Sequence, residues 1–314
     1  MNLLITGGAG FIGSHFTERL LKLDSIKKVI VLDSLTYAGR KSNLSNCFVD
    51  KRFEFVRGDI CDPKIVRSIA RKVDHIVNFA AESHVDRSIR DSSLFVQTNI
   101  LGTHTLLAAA KEFGVSRFLQ VSTDEVYGSI DFGSAAEDAR LAPSSPYSAS
   151  KASADLLVHA YHVTHDLDTV ITRSSNNYGP RQFPEKLIPL SIQNATVKGR
   201  IYLHGSGLDV RDWIHVEDYC DGVIAALFRG KSGETYNFGG GNEKTNLEIA
   251  NLILKQLNLD VDRIRFSPNR PGHDVRYSIN SEKARRDLGF SPKIEFDKGI
   301  VETIDWYLSN HINR

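Results

Sequence analysis

The apolar run Leu3-Leu4-Ile5-Thr6 meets Gly7-Gly8-Ala9-Gly10-Phe11-Ile12-Gly13, and a helical pattern then covers 12–23. Few features constrain a fold as much as glycines set between a strand and a helix. Glycine permits the tight turn, and its missing Cβ lets backbone approach a pyrophosphate whose charge the helix N-terminus favours. Asp33 ends the next apolar run, twenty residues past Gly13. A carboxylate there accepts from both ribose hydroxyls and repels a 2′-phosphate. Gly7, Gly10, Gly13 and Asp33 therefore predict NAD rather than NADP. Arg40, the one nearby feature favouring NADP, reads as a solvated loop charge.

The rhythm continues. Strands are predicted at 3–6, 29–33, 53–57, 75–79, 118–122 and 169–174, with helices at 12–23, 63–71, 94–113 and 147–165. Near-continuous apolar strands separated by helices imply a parallel sheet covered on both faces. The expected class is α/β, a doubly wound parallel sheet of Rossmann type with a smaller α/β C-terminal substrate lobe. Residues 1–175 read as the nucleotide-binding domain and 176–314 as the second lobe, with segments near 210–240 returning to complete the first. Beyond 174 a helix is expected near 187–196, a short strand near 201–203, a helix at 216–229 and a strand at 235–238. Thr245 and Glu248 form a capping box for a helix running to 257. From 263 onward short elements alternate with basic loops.

Lys plus Arg (39) nearly balance Asp plus Glu (38), giving a formal charge of +1. Nothing in that balance calls for nucleic acid or a membrane surface, so any anion site must be local. Cys47, Cys61 and Cys220 have no metal-ligand spacing and suit structural thiols in a reducing compartment. The N-terminus shows neither a signal peptide nor a membrane span, so a cytoplasmic location is expected.

Chemistry concentrates in two segments. Tyr147 and Lys151 stand four apart on a helix that Pro146 can start, so both project on one face. The lysine charge would favour the phenolate and lower the tyrosine toward a general base. Ser122-Thr123-Asp124-Glu125 ends a strand, where ligands meet such sheets. An acid pair in a loop is usually solvated. Here it directly follows hydroxyls that should face a substrate. Eliminating water beside a ketone needs a base for a carbon proton and an acid for the leaving hydroxyl, and two carboxyls in different environments can divide those tasks. Asp59-Ile60 follows the third strand at the position where adenine would lie, although Asp59 could equally cap the helix near 63. Ala80-Ala81-Glu82-Ser83-His84 follows the fourth, its small residues allowing close approach. Arg211, Arg270 and Arg276 offer guanidinium forks for phosphate oxygens beyond the first domain.

With these residues assembled, the chain resembles the extended short-chain dehydrogenase/reductase superfamily and, within it, the dTDP-glucose 4,6-dehydratase family. The resemblance runs through Asp33-Ser34-Leu35-Thr36-Tyr37-Ala38-Gly39, residues 80–85, 122–128 and 147–151, Ser175-Asn176-Asn177-Tyr178-Gly179-Pro180, residues 184–189, Arg211-Asp212-Trp213 and Arg270-Pro271-Gly272-His273-Asp274. It implies a tightly held NAD regenerated in each cycle. Tyr147 would take the C4 hydroxyl proton, Glu125 the C5 proton, and Asp124 would protonate the departing C6 hydroxyl. Thr123 would bond the sugar near C4, while Lys151 would reach the nicotinamide ribose. Further cofactor positions implied are Phe11, Ile12, Ser34, Leu35, Thr36, Asp59, Ile60, Ala80, Ala81, Ser83, Thr98 and Asn177. Substrate positions implied are Ser83, His84, Asn176, Glu185, Lys186, Leu187, Arg211, Asn246, Asn269, Arg270, His273 and Arg276. No metal is expected.

Asn269 stands where the family has aspartate, and Tyr202 and His204 where it has proline and tyrosine. These departures concern the nucleobase, so a UDP-sugar remains an alternative to dTDP-glucose. A nucleotide-sugar 4-epimerase would share NAD, Tyr147 and Lys151 but have no use for the acid pair. A regulatory NAD sensor would need none of the catalytic set. The resemblance also implies a C2 homodimer in which helices 94–113 and 147–165, carrying Leu106, Leu107, Leu156, Leu157 and Val158, form a four-helix interface.

Overall fold

The computed structural model describes residues 1–269, 271–272 and 274–311. Strands β1 (Asn2–Thr6), β2 (Lys28–Asp33), β3 (Phe53–Arg57), β4 (His75–Asn78), β5 (Arg117–Thr123) and β6 (Thr169–Ser174) follow the predicted positions closely. Between them run α1 (Phe11–Leu21), α2 (Pro63–Ala70), α3 (Val85–Arg90), the single turn α4 (Ser93–Phe95), α5 (Thr103–Phe113) and α6 (Pro146–His165). Beyond β6 come β7 (Asn176–Tyr178), α7 (Leu187–Lys198), β8 (Ile201–His204), β9 (Val210–His215), α8 (Val216–Arg229) and β10 (Thr235–Phe238). The chain continues through β11 (Glu243–Thr245), α9 (Asn246–Gln256), β12 (Ile264–Ser267), α10 (Glu282–Leu288) and α11 (Phe296–His311).

The main sheet has the order β10-β6-β5-β4-β1-β2-β3, and every pairing is parallel. Its residues alternate between two cores. Leu3 and Ile5 join Phe16 and Leu20 of α1 and Val223 of α8; Leu4 joins Val66, Leu106 and Phe118 on the opposite face. Burying each such side chain is worth about 1.5–3 kcal/mol. Strand order reverses between β1 and β4, which opens a crevice at the carboxyl ends of those strands. β10 joins β6 in register, Phe238 opposite Ser174, as expected.

The second core packs α7, α9 and α11 around Ile192, Ile201, Trp213, Ile253 and Ile304. Small sheets β11-β9-β7 and β12-β8 accompany it. Both capping signals are present. Thr245 and Glu248 form the capping box of α9, and Ser145 with Ser148 forms that of α6, behind Pro146.

Three expectations differ. The predicted helix 94–113 is interrupted by a π-helical segment, Val96–Gly102, whose wider turns bury Asn99. That side chain bonds both backbone groups of Glu82 and the Ser150 hydroxyl, local demands that a regular pattern does not reveal. α11 replaces the expected loops near the end, its Phe296, Ile300, Ile304 and Tyr307 forming a helical stripe. Finally, Leu106, Leu107 and Val158 lie in the chain's own core, because they face α2 and the sheet; among the five apolar residues named for an interface, Leu156 is the one left exposed, at 59%. No helix among the described residues is long and apolar enough to cross a membrane.

Candidate active site

A cleft of about 790 Å³ runs from the β1–α1 turn along the carboxyl ends of β4 and β5 to the segment before α7. Its floor is backbone. Gly7 has φ +66°, and a Cβ there would stand 2.6 Å from the Ala80 nitrogen; a Cβ on Gly13 would collide with the Gly7 carbonyl. Asp33 Oδ2 accepts from the Ala9 N–H at 2.9 Å and Oδ1 from the Leu35 N–H at 2.8 Å. Burial pushes this carboxyl upward against those two bonds. Asp59 lines the cleft, and its Oδ1 accepts from the Cys61 N–H at 2.8 Å. The cap of α2 is Asp62 instead. Asn177 donates to Ser174 Oγ and the Ser175 carbonyl, while its buried Oδ1 has no protein partner. Glycines that a Cβ would fill, a buried acid and an unmatched amide oxygen fit a dinucleotide.

The wall is titratable. Lys151 Nζ donates to the Val121 carbonyl at 2.7 Å, and burial pushes its ammonium down to about 8 against the charge of Asp155. Thr123 Oγ1 donates to Asp124 Oδ1 at 3.2 Å and accepts from the Glu125 N–H at 3.3 Å. The Thr123 hydroxyl also hydrogen-bonds Tyr147. Asp124 is 3% exposed, and its Oδ2 has no partner. Burial first, then the charges of Glu125 and Asp212, hold its carboxyl well above the usual range, with Arg211 opposing. Tyr147 departs from expectation. Burial and the Glu125 and Asp124 charges push its phenol up, since the Lys151 ammonium is engaged by the Val121 carbonyl.

At the mouth, Tyr37 OH donates to Glu185 Oε1 at 2.9 Å, Arg87 stacks 3.6 Å over the Tyr37 ring, and Lys186 Nζ reaches the Ser83 carbonyl. Arg87 and Arg90 both line the cleft. Sequence reasoning passed over them, although two arginines three apart on a helix following residues 80–84 were a legible signal.

Gly7, Gly10, Phe11, Ile12, Gly13, Asp33, Ser34, Thr36, Asp59, Ile60, Ala80, Ala81, Ser83 and Thr98 all line the cleft, as do Thr123, Asp124, Glu125, Tyr147, Lys151, Asn176, Asn177, Glu185, Lys186 and Leu187. Others stand off its wall. Leu35, at φ 55°, contributes its N–H to Asp33. His84 Nε2 lies 3.9 Å from Glu185 Oε2, with burial lowering its basicity. Arg211 spends its guanidinium on the carbonyls of Val210, Asp274 and Val275 and stacks on Tyr277. Arg276 pairs with Glu243 at 2.6 Å and bonds the carbonyls of Ile130 and Gly133. Asn246 begins α9, bonded to the Asp209 carbonyl, and Asn269 packs on Gly205. Arg270 and His273 lie outside the described residues.

The family model described as GDP-mannose 4,6 dehydratase matches residues 4–303. The chain belongs to this family. The dTDP-glucose 4,6-dehydratase of Actinoplanes sp. is 50% identical over 315 residues, covering 99% of this chain and 98% of that protein. DesIV, a dTDP-glucose 4,6-dehydratase from Streptomyces venezuelae solved with NAD and TYD bound, superposes with TM-score 0.97 at 51% identity, covering 99% and 98% of the two chains. The Thermus thermophilus UDP-glucose 4-epimerase, solved with NAD, gives TM-score 0.90 at 32% identity over 99% and 100%. Dehydratase and epimerase thus share the fold. Discrimination falls to side chains at the cleft wall.

Proposed function

We propose that this chain is an NAD-dependent dTDP-glucose 4,6-dehydratase that forms dTDP-4-keto-6-deoxyglucose by loss of water across C5 and C6. Asp124 carries the reading. It is a buried carboxyl pushed toward its acid form, with one oxygen unpaired, adjoining Glu125 and joined through Thr123 to Tyr147. A 4-epimerase would leave such an acid without work. The similarity to dehydratases at about half identity over nearly the whole chain supports the same conclusion.

NAD, when bound, supplies hydride acceptance at C4 and hydride return at C6. The glycine turn, Asp33 and Asn177 hold the dinucleotide, and Asn176, Glu185 and Lys186 flank the sugar end of the cleft. Tyr147 takes the C4 hydroxyl proton as the phenolate, a form that the Thr123 hydrogen bond favours against burial and the neighbouring carboxylates. The resulting 4-ketone acidifies the C5 proton, which Glu125 removes. Asp124 delivers its proton to the C6 hydroxyl, which leaves as water. Proton gain at Glu125 also removes a charge that pushes Tyr147 up.

Incubation with dTDP-glucose should yield an alkali-sensitive keto chromophore and no net consumption of NAD. A product retaining its 6-hydroxyl with C4 inverted would be the epimerase outcome, and the same assay with UDP-glucose ranks the two nucleobases. We further propose a division at 175/176, with α8 and β10 crossing back to the first domain. Homodimerisation through the π segment, α5 and α6 is supported by exposed Leu101, Leu156 and Val163 rather than by the buried leucines of those helices. Cytoplasmic residence is supported by three free cysteines.

A further inference from the structure

Asp155 stands one turn after Lys151 on α6 and is 2% exposed. Its Oδ2 accepts from Ser122 Oγ at 3.0 Å and from Arg173 Nε at 2.9 Å, while Oδ1 is buried without a partner. Arg173, on β6, donates from Nη1 to Tyr127 OH at 2.8 Å; Tyr127 in turn donates to Asn237 Oδ1 on β10 at 2.9 Å. The buried ion pair therefore ties the helix bearing Tyr147 and Lys151 to β6, and the Ser122 bond ties that helix to β5, the strand ending at Ser122–Thr123. The same network reaches the turn bearing Asp124 and Glu125.

Such a pair is poor evidence of stabilisation. Desolvating both charges offsets their attraction, and replacing both with apolar groups is often neutral or better. A role in chemistry accounts for it more directly. Lys151 is buried as well, which works against its charge, and the Asp155 carboxylate is the influence that opposes this. The acceptor of Lys151 is the carbonyl of Val121, whose neighbour Ser122 is the hydroxyl bonded to Asp155. Asp155 thus reaches Lys151 by charge along the helix and by geometry through the strand.

We propose that Asp155, clamped by Arg173 and Ser122, is a positioning residue that keeps Lys151 cationic and directed at the Val121 carbonyl. The proposal rests on the dehydratase reading to the extent that Lys151 works as a cation. The other ionisable groups that meet the pair are Arg173 from β6, Tyr127 from the turn after β5, which bonds Arg173, and Tyr219 from α8. Burial chiefly, and Asp155 in lesser measure, push the Tyr219 phenol up.

Asp155→Asn removes the charge while keeping the shape. The alkaline limb of kcat should move toward acid by about one pH unit, with KM nearly unchanged. Because Arg173 would be left unpaired, the double variant Asp155→Asn/Arg173→Gln is measured beside it and should show a shift in the same direction. Asp155→Glu, which keeps the charge, should hold the limb at its wild-type position. NAD affinity is titrated against pH in the same proteins and should show the same displacement. This second readout survives even if wild-type protein makes no keto product, a result that would overturn the dehydratase reading by itself. Folded, NAD-retaining variants whose limbs and NAD titrations coincide with wild type overturn the proposal. Failure of both charge-removing variants to fold also overturns it, by making the pair a structural necessity.

Discussion

The floor and the wall of the cleft solve opposite problems. The floor, from Gly7 to Gly13 with Asp33, is made of backbone in a fixed conformation, and its one acid is oriented by two N–H donors. Nothing there needs to change protonation during a cycle. The wall, from Thr123 to Glu125 with Tyr147 and Lys151, packs ionisable groups whose preferred states conflict: the Asp124 carboxyl and a phenol pushed up, a lysine pushed down. A binding surface tolerates rigid satisfaction of its polar groups. A surface that moves protons needs groups poised near a change of state. The contrast implies that substitutions in the floor should alter affinity, and those in the wall should alter turnover.

Asp124→Asn is the strongest attempt to break that division. Loss of a general acid should reduce kcat by about 10²–10⁴-fold, with NAD retained through purification. Steady-state kinetics with a cofactor content assay checks both halves, and loss of NAD from this variant would dissolve the distinction. Asp33→Ala is the reciprocal test. Losing charge-assisted bonds to the ribose should weaken NAD by about 10–100-fold, while turnover at saturating NAD stays close to wild type. Calorimetric titration and kcat measured on the same preparation compare the two.

A smaller effect sharpens the account of the wall. The unfolded chain ionises Asp124 near its ordinary value, while the fold holds it protonated to higher pH. Ionisation of the unfolded state therefore erodes stability as pH rises above about 4, until the folded pKa is reached. Asp124→Asn removes that penalty. Its Tm should exceed wild type at pH 7 by on the order of 2 °C, with the difference shrinking below about pH 4. Equal melting curves at both pH values would contradict the strained acid.

Legibility in the sequence follows the same line. The floor depends on neighbours in the chain, so Gly7, Gly13 and Asp33 were readable, as were β1 to β6, whose apolar runs report burial on both faces. The acidic turn on the cleft wall was readable because Asp124-Glu125 is an unusual pair at a strand end. The environment was not. Whether Lys151 lowers Tyr147 depends on where its ammonium points, and that is decided by the Val121 carbonyl thirty residues away. The protein partners of Arg211 were not readable for a similar reason: β9 buries it against carbonyls of residues 274 and 275, a pairing no local pattern announces. The π segment at Asn99 and the helix from Phe296 differ in kind. Asn99 answers to Glu82 and Ser150 through space. The apolar spacing of α11 was present in the sequence and was overlooked among charged residues.

The central claim is that one site oxidises C4, eliminates water across C5 and C6, and returns the same hydrogen to C6. Substrate carrying deuterium at C4, turned over in ordinary water and followed by mass spectrometry of the product, tests it most directly. The product should be a 4-keto-6-deoxy sugar with the full deuterium label at C6. Label lost to solvent, or found again at C4 with the 6-hydroxyl intact, would contradict it.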